Sequence, residues 1–223
     1  MGFGFLMRWQ QDLNKDIRLH DYRDDLDYPL NPKKEFVFKN ILPALSPWKT
    51  KHDFSIANQN ALKNVLTRLD GPLTSILEIG VSRDRFKWET STGIFLDYKS
   101  DDCVYLGVDI EDKSFLDDPE KNIYTIQSDS GDIESITNML DSLGIEQLDF
   151  IMIDGWHSIN QVLQEWEYTS LLSDHGIVAF HDVAYHPGPH LFVNNLNTTK
   201  WSVIPNLCAL DKQDFGIGFA WKR

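Results

Sequence analysis

Two cysteines in 223 residues, Cys103 and Cys208, exclude a disulfide framework, and their spacing matches no metal-binding pattern. Reduced thiols of this kind fit a cytoplasmic protein. No apolar run approaches the ~20 residues that a membrane span requires, so no membrane partner is expected. The opening MGFGFLM is too short for a signal-peptide core, and it has Leu6 where a myristoylation motif needs a hydroxyl. Positive charge is scarce, with 21 Lys and Arg against 34 Asp and Glu and a formal net charge of −13. The pairs Lys33-Lys34 and Lys49–Lys51 are too short to make a basic patch. Such a surface repels phosphate backbones, which excludes a nucleic-acid partner from the expectations. The glycine-rich G-x-G-x-x-G loop is missing too, which argues against a nicotinamide dehydrogenase.

What is present organises around Ser75–Ser82, SILEIGVS. A short apolar run bounded by turn residues suits a strand buried on both faces, as in a parallel sheet. Gly80 lets the chain turn sharply at its end, where ligands bind in a doubly wound sheet. Glu78 is an unwelcome neighbour for a pyrophosphate but a good one for a cationic ligand.

Around this strand the chain alternates. Ala57–Leu69 predicts an amphipathic helix, stopped by Asp70-Gly71-Pro72. Arg83–Asp97 predicts a weaker helix interrupted by Gly93. Val104–Ile110, Ile123–Asp129, Leu148–Asp154 and Gly176–Asp182 read as strands, with a helix over Asp132–Leu143. A second helix starts at Ser158, where Ser158-x-x-Gln161 has the form of a capping box. Val183–Pro189 reads as a loop with a Pro187-Gly188-Pro189 turn. Trp201–Pro205 and Phe215–Lys222 follow as an antiparallel pair. The fold class is therefore α/β, a Rossmann-like doubly wound, seven-stranded mixed sheet. The domain spans residues 56–223. Residues 1–55, rich in proline and aromatics, form an N-terminal extension that packs on the domain, a partner subunit or the active site, and a homo-oligomer is consistent with it.

Five acids stand at or near strand ends: Glu78, Asp109, Asp129, Asp154 and Asp182. A parallel sheet puts those ends along one edge, and burying acids there without donors or cations is costly. Any one of them alone reads more readily as a helix N-cap than as a ligand residue; five at corresponding positions point to a ligand. Asp109, at the end of the second strand, is placed to accept hydrogen bonds from both hydroxyls of a ribose. Asp129, between Ser128 and Ser130, is placed for an adenine amino group.

In this order and spacing, ILEIG, GVDI, IQSDS, LDFIMIDGWHS and GIVAFHD resemble the core of class I S-adenosylmethionine (SAM) methyltransferases. They are most similar to the small-molecule O-methyltransferase and cephalosporin-hydroxylase-like group, over about Ser75–Arg223. The resemblance implies strand order 3-2-1-4-5-7-6 and SAM as cofactor. It places Glu78, Gly80 and Ser82 at the amino-acid part of SAM, Asp109 and Ile110 at the ribose, and Asp129 and Ser130 at the adenine. Asp154 would bind the SAM amino group or a metal. The group usually has glycine where this chain has Ser82, followed by Arg83-Asp84-Arg85.

Methyl transfer to an alcohol requires donor and oxygen in line and a base for the hydroxyl proton. His157, just past the fourth strand, is the candidate base, with Asp154 beside it; capping the Ser158 helix is its other reading. The resemblance implies that Asp154, His181 and Asp182 would converge on one divalent cation, magnesium or manganese, as several relatives use. His186 and His190 read as loop or substrate-contact residues. The expected function is O-methylation of a small polar acceptor such as a sugar. Two rivals remain at this stage: a metal-dependent oxygenase on the same fold, and a non-catalytic SAM-binding protein.

Overall fold

A computed structural model describes residue 25 and residues 54–82, 89–184, 186–207 and 215–223. Its centre is a seven-stranded sheet: β1 (Ser75–Ile79), β2 (Val104–Asp109), β3 (Ile123–Gln127), β4 (Leu148–Ile153), β5 (Leu172–His181), β6 (Trp201–Ile204) and β7 (Ile217–Lys222). The order is β3-β2-β1-β4-β5-β7-β6. β3 to β5 run parallel, and β7 pairs antiparallel with both β5 and β6. The expected sheet and strand order are borne out.

Five α-helices cover the two faces among the described residues: α1 (Ile56–Leu66), α2 (Ser91–Tyr98), α3 (Ile133–Ser142), α4 (Ile159–Glu165) and α5 (Pro187–Asn194). Each central strand alternates between two cores. Leu77 and Ile79 of β1 pack with Ile136, Val162 and Phe192 under α3, α4 and α5. Ile76 packs on the opposite face with Leu62 and Phe95 of α1 and α2. All five residues of β1 are buried, as a strand covered by helices on both sides requires. No helix among the described residues is long and apolar enough to cross a membrane.

Several elements differ from the sequence reading. The helix expected over Arg83–Asp97 begins at Ser91, capped by the Thr90 side chain on the Gly93 N–H, so Gly93 sits in a first turn. Residues 83–88 lie outside the described residues. β5 starts at Leu172, four residues before Gly176, because Leu172 pairs with Leu148 ahead of a register shift. The Pro187-Gly188-Pro189 segment is not a loop turn but the start of α5. Proline is tolerated in a first helical turn, whose N–H groups have no intrahelical acceptor. Ser158 does cap α4 by accepting from the Gln161 N–H. The Gln161 side chain does not close a box; it donates to Ser130 Oγ at 2.9 Å and to Asp129 Oδ1 at 3.3 Å. Of the expected extension, residue 25 and residues 54–55 are described. The Asp25 carboxylate accepts from the indole N–H groups of Trp166 and Trp201.

Candidate active site

The parallel strands bring the five acids to one edge, but each meets different company. At β1, Gly80 has φ +84°, and a Cβ there would lie 2.1 Å from the Asp154 carbonyl oxygen. Only glycine permits that turn and that approach. The Gly80 N–H bonds the Val108 carbonyl, and the Asp154 N–H bonds Ile79. The ends of β1, β2 and β4 are thereby locked together.

Glu78 is fully buried and points away from α3–α5 into the α2 side. It accepts from Ser91 Oγ at 2.5 Å and from the Tyr105 hydroxyl. Burial pushes its pKa from 4.5 to about 7, against the lowering effect of those hydrogen bonds. The Ser82 N–H donates to Thr92 Oγ1. Asp109 receives a backbone N–H on each oxygen: Val81 on Oδ2 at 3.0 Å and Glu111 on Oδ1 at 2.8 Å. Buried Lys113 lies 3.8 Å from Asp109 Oδ2. A carboxylate oxygen can accept more than one hydrogen bond, so Asp109 retains capacity for two ribose hydroxyls. Ile110 beside it is 69% exposed, an apolar surface open to a ligand. Asp129 accepts from the Gly131 N–H at 2.8 Å, and Ser130 donates to Glu165 at 2.6 Å.

Beyond β4 and β5 the picture changes. Asp154 Oδ1 lies 3.1 Å from His181 Nδ1 and 3.4 Å from His157 Nε2. Asp182 Oδ1 lies 3.2 Å from His181 Nδ1, and Oδ2 lies 3.0 Å from His157 Nε2 and 3.5 Å from His186 Nε2. Asp182 has φ +61°, a left-handed turn that aspartate tolerates better than most residues. Its Oδ1 is buried without a hydrogen-bond partner, the mark of a carboxylate arranged for something the protein itself does not supply. Asp154, His181 and Asp182 offer ligand atoms within 4.8 Å of one another. So do His157, Asp182 and His186.

The charges in this cluster depend on one another. Burial opposes protonation of His157, but Asp182 and Asp154 prevail and raise it to about 10. His181 is likewise raised to about 9, against burial, mainly by Asp154 and Asp182. Burial pulls His186 down to about 4. Asp182 stays well below the usual carboxylate range despite burial, held there by His181 and His157.

Two residues near the site escape the sequence reading, and a third, His186, reads there only as a loop or substrate-contact residue. Asn58 is fully buried on α1 and lies 3.1 Å from His181 Nε2; a polar residue one turn before Leu62 on an apolar face was its signal. Glu165 is fully buried, with Oε2 unpartnered and its pKa raised by burial to about 8. His186 enters because α5 begins directly after it. His190 turns away and donates through Nδ1 to the Val183 carbonyl. Trp156 is 55% exposed beside the cluster. Tyr185 lies outside the described residues.

No family model and no curated protein matches the sequence. Solved structures do match. A protein from Klebsiella pneumoniae assigned as an O-methyltransferase superposes with a TM-score of 0.53 at 13% identity, over 84% of this chain and 90% of that one. This chain has the methyltransferase fold. A fibrillarin pre-rRNA processing protein from Methanococcus jannaschii shares the fold, at a TM-score of 0.50 and 15% identity, over 76% and 77% of the two chains. The MycE methyltransferase of mycinamycin biosynthesis, solved with Mg, SAH and mycinamycin VI, gives 0.49 at 15% identity over 86% of this chain. This chain spans 56% of that MycE chain, and 37% and 53% in its other two crystal forms. Within the methyltransferase fold, the five acids occupy the edge at the carboxyl ends of the parallel strands, which is where ligands bind.

Proposed function

We propose that this chain is a SAM-dependent O-methyltransferase acting on a hydroxyl of a small polar acceptor, with a divalent cation, magnesium or manganese, at Asp154, His181 and Asp182. The observation that carries the reading is the pairing, on one sheet edge, of a carboxylate-lined half with an imidazole–carboxylate cluster next to it. Glu78, Gly80 and Ser82 shape the loop for the amino-acid part of SAM. Asp109 and Ile110 take the ribose, and Asp129 and Ser130 the adenine. The residues fit the cofactor: Asp109 keeps free acceptor capacity, and exposed Ile110 offers an apolar face. They fit a cation as well, because Asp182 Oδ1 is orphaned and buried.

SAM held by these residues would supply an electrophilic methyl group, with the electron pair of its C–S bond left on sulfur. The chain's own work is to align the acceptor and receive its proton. His157 is the base, on a turn whose Ser158 caps α4 and so holds the ring over the edge. Asp154 and Asp182 orient its Nε2 from two sides. A cation on those carboxylates would offset the charge that keeps His157 protonated and would acidify the acceptor hydroxyl. The acidic surface favours a small neutral or cationic acceptor over a nucleic acid. The carboxylate-lined half of the edge supports the transferase over the oxygenase, and the base beside it supports the transferase over a non-catalytic protein.

Calorimetry with S-adenosylhomocysteine tests the reading, with NAD as the control. Saturable binding of the first alone is expected. Binding of NAD alone, or of neither, would refute it.

A further inference from the structure

His186 joins the site through packing rather than through its own strand. Its backbone N–H bonds the Asp182 carbonyl at 2.8 Å, and α5 starts at the next residue. In that first turn a Cβ on Gly188 would come within 2.4 Å of the His157 carbonyl oxygen. Glycine there lets α5 seat directly on the His157 turn. The two imidazoles consequently stack nearly parallel, 4.1 Å between centroids and 8° between planes.

Both Nε2 atoms converge on the same oxygen, Asp182 Oδ2, at 3.0 and 3.5 Å. Each Nε2 lone pair lies in its own ring plane, so one ring turns out of the stack for both to bind a single ion. The other oxygen of Asp182 faces His181 and the Asp154 side. Asp182 thus has one oxygen on each of two neighbouring ligand sets. One set is richer in oxygen. The other has two imidazoles and one carboxylate, a donor set that selects zinc, cobalt, nickel or iron over magnesium. Asp182 itself is 5% exposed, and its Oδ2 is the carboxylate oxygen that this second set shares. The side chains of His157 and His186 are 25% and 22% exposed, which leaves an ion a way in from solvent.

We propose that His157, Asp182 and His186 bind a transition-metal dication of the zinc and cobalt type, and that an ion held there stops methyl transfer by taking the lone pair of His157. The ion site stands on its own geometry; only the inhibitory consequence rests on the proposed function.

The test is a titration of the full chain with Co(II), read by its visible absorption, in saturating Mg(II). Zn(II) is then used to displace the bound cobalt. The wild type is expected to bind one cobalt per chain with imidazole ligation. His186→Ala should weaken that binding at least tenfold, with His186→Gln as substitute where the alanine variant unfolds early, whereas His181→Ala should keep it within a few fold. Equal affinity in the wild type and the His186 variant, or loss only in His181→Ala, would overturn the proposal. So would the absence of cobalt binding. Calorimetry with S-adenosylhomocysteine on the same samples reports on the proposed function separately, because neither histidine belongs to the nucleoside half of the edge.

Discussion

The acids beyond β1, β2 and β3 and those beyond β4 and β5 share one sheet edge but differ in what answers them. Glu78, Asp109 and Asp129 are met by the protein's own donors: hydroxyls of Ser91 and Tyr105, and the N–H groups of Val81, Glu111 and Gly131. They act as struts, fixing the loops that carry their donors. Asp154 and Asp182 are met by histidines, and one buried oxygen, Asp182 Oδ1, lies near His181 without a hydrogen bond. Groups whose partners can lose a proton can exchange them for a cation. The first half is built to hold a shape and the second to change its charge.

The largest expected effect lies in the first half. Asp109→Ala would remove the two charge-assisted hydrogen bonds to the ribose that the proposed function gives it, each worth about 1.5–3 kcal/mol. Affinity for S-adenosylhomocysteine should fall by roughly 10²–10⁴-fold by calorimetry; unchanged affinity would remove Asp109 from the cofactor site.

Glu78 gives the next effect, in stability. Its folded pKa of about 7 lies above its ordinary 4.5. The fold prefers the neutral carboxyl, so that contribution is complete below the unfolded pKa and is lost as the pH rises through about 7. Between these values wild-type stability should drop by roughly 3 kcal/mol from this group. Denaturant unfolding of Glu78→Gln should show that slope flattened. A slope identical to wild type would mean that Glu78 is ionised in the fold.

In the second half, His157→Ala should lower turnover by ~10²-fold or more while cofactor affinity stays within a few fold. The assay is release of S-adenosylhomocysteine with an acceptor found by the same readout. Normal turnover would end the base role. The smallest effect is structural: Ser158→Ala removes the α4 cap and should cost about 1 kcal/mol. A loss of turnover well beyond that of stability would show that the cap positions His157.

The two halves were unequally legible in the sequence. The sheet followed from apolar runs with an acid at each end, because buried parallel strands leave little freedom of composition. Asp109 and Asp129 could be placed by spacing alone. The cluster was harder. His186 depends on α5, whose Pro-Gly-Pro start has the composition of a turn, and on Gly188 packing against the His157 turn across β5. Asn58 lies 123 positions from His181, and only the sheet's order brings α1 over β5. Burial of Glu78 between α2 and Tyr105 was likewise invisible, since alternation alone does not say which side of β1 carries a polar pocket.

The most direct test of the two-half account is thermal unfolding with S-adenosylhomocysteine or Mn(II), in wild type, Asp109→Ala and Asp182→Asn. A ligand bound only by the folded state raises the midpoint by mass action. The account predicts a crossed pattern: Asp109→Ala loses the shift with S-adenosylhomocysteine and keeps the one with manganese, and Asp182→Asn does the reverse. Loss of both shifts in both variants would mean that the edge is one undivided site. Wild-type protein that shifts with neither ligand would contradict the proposed function itself.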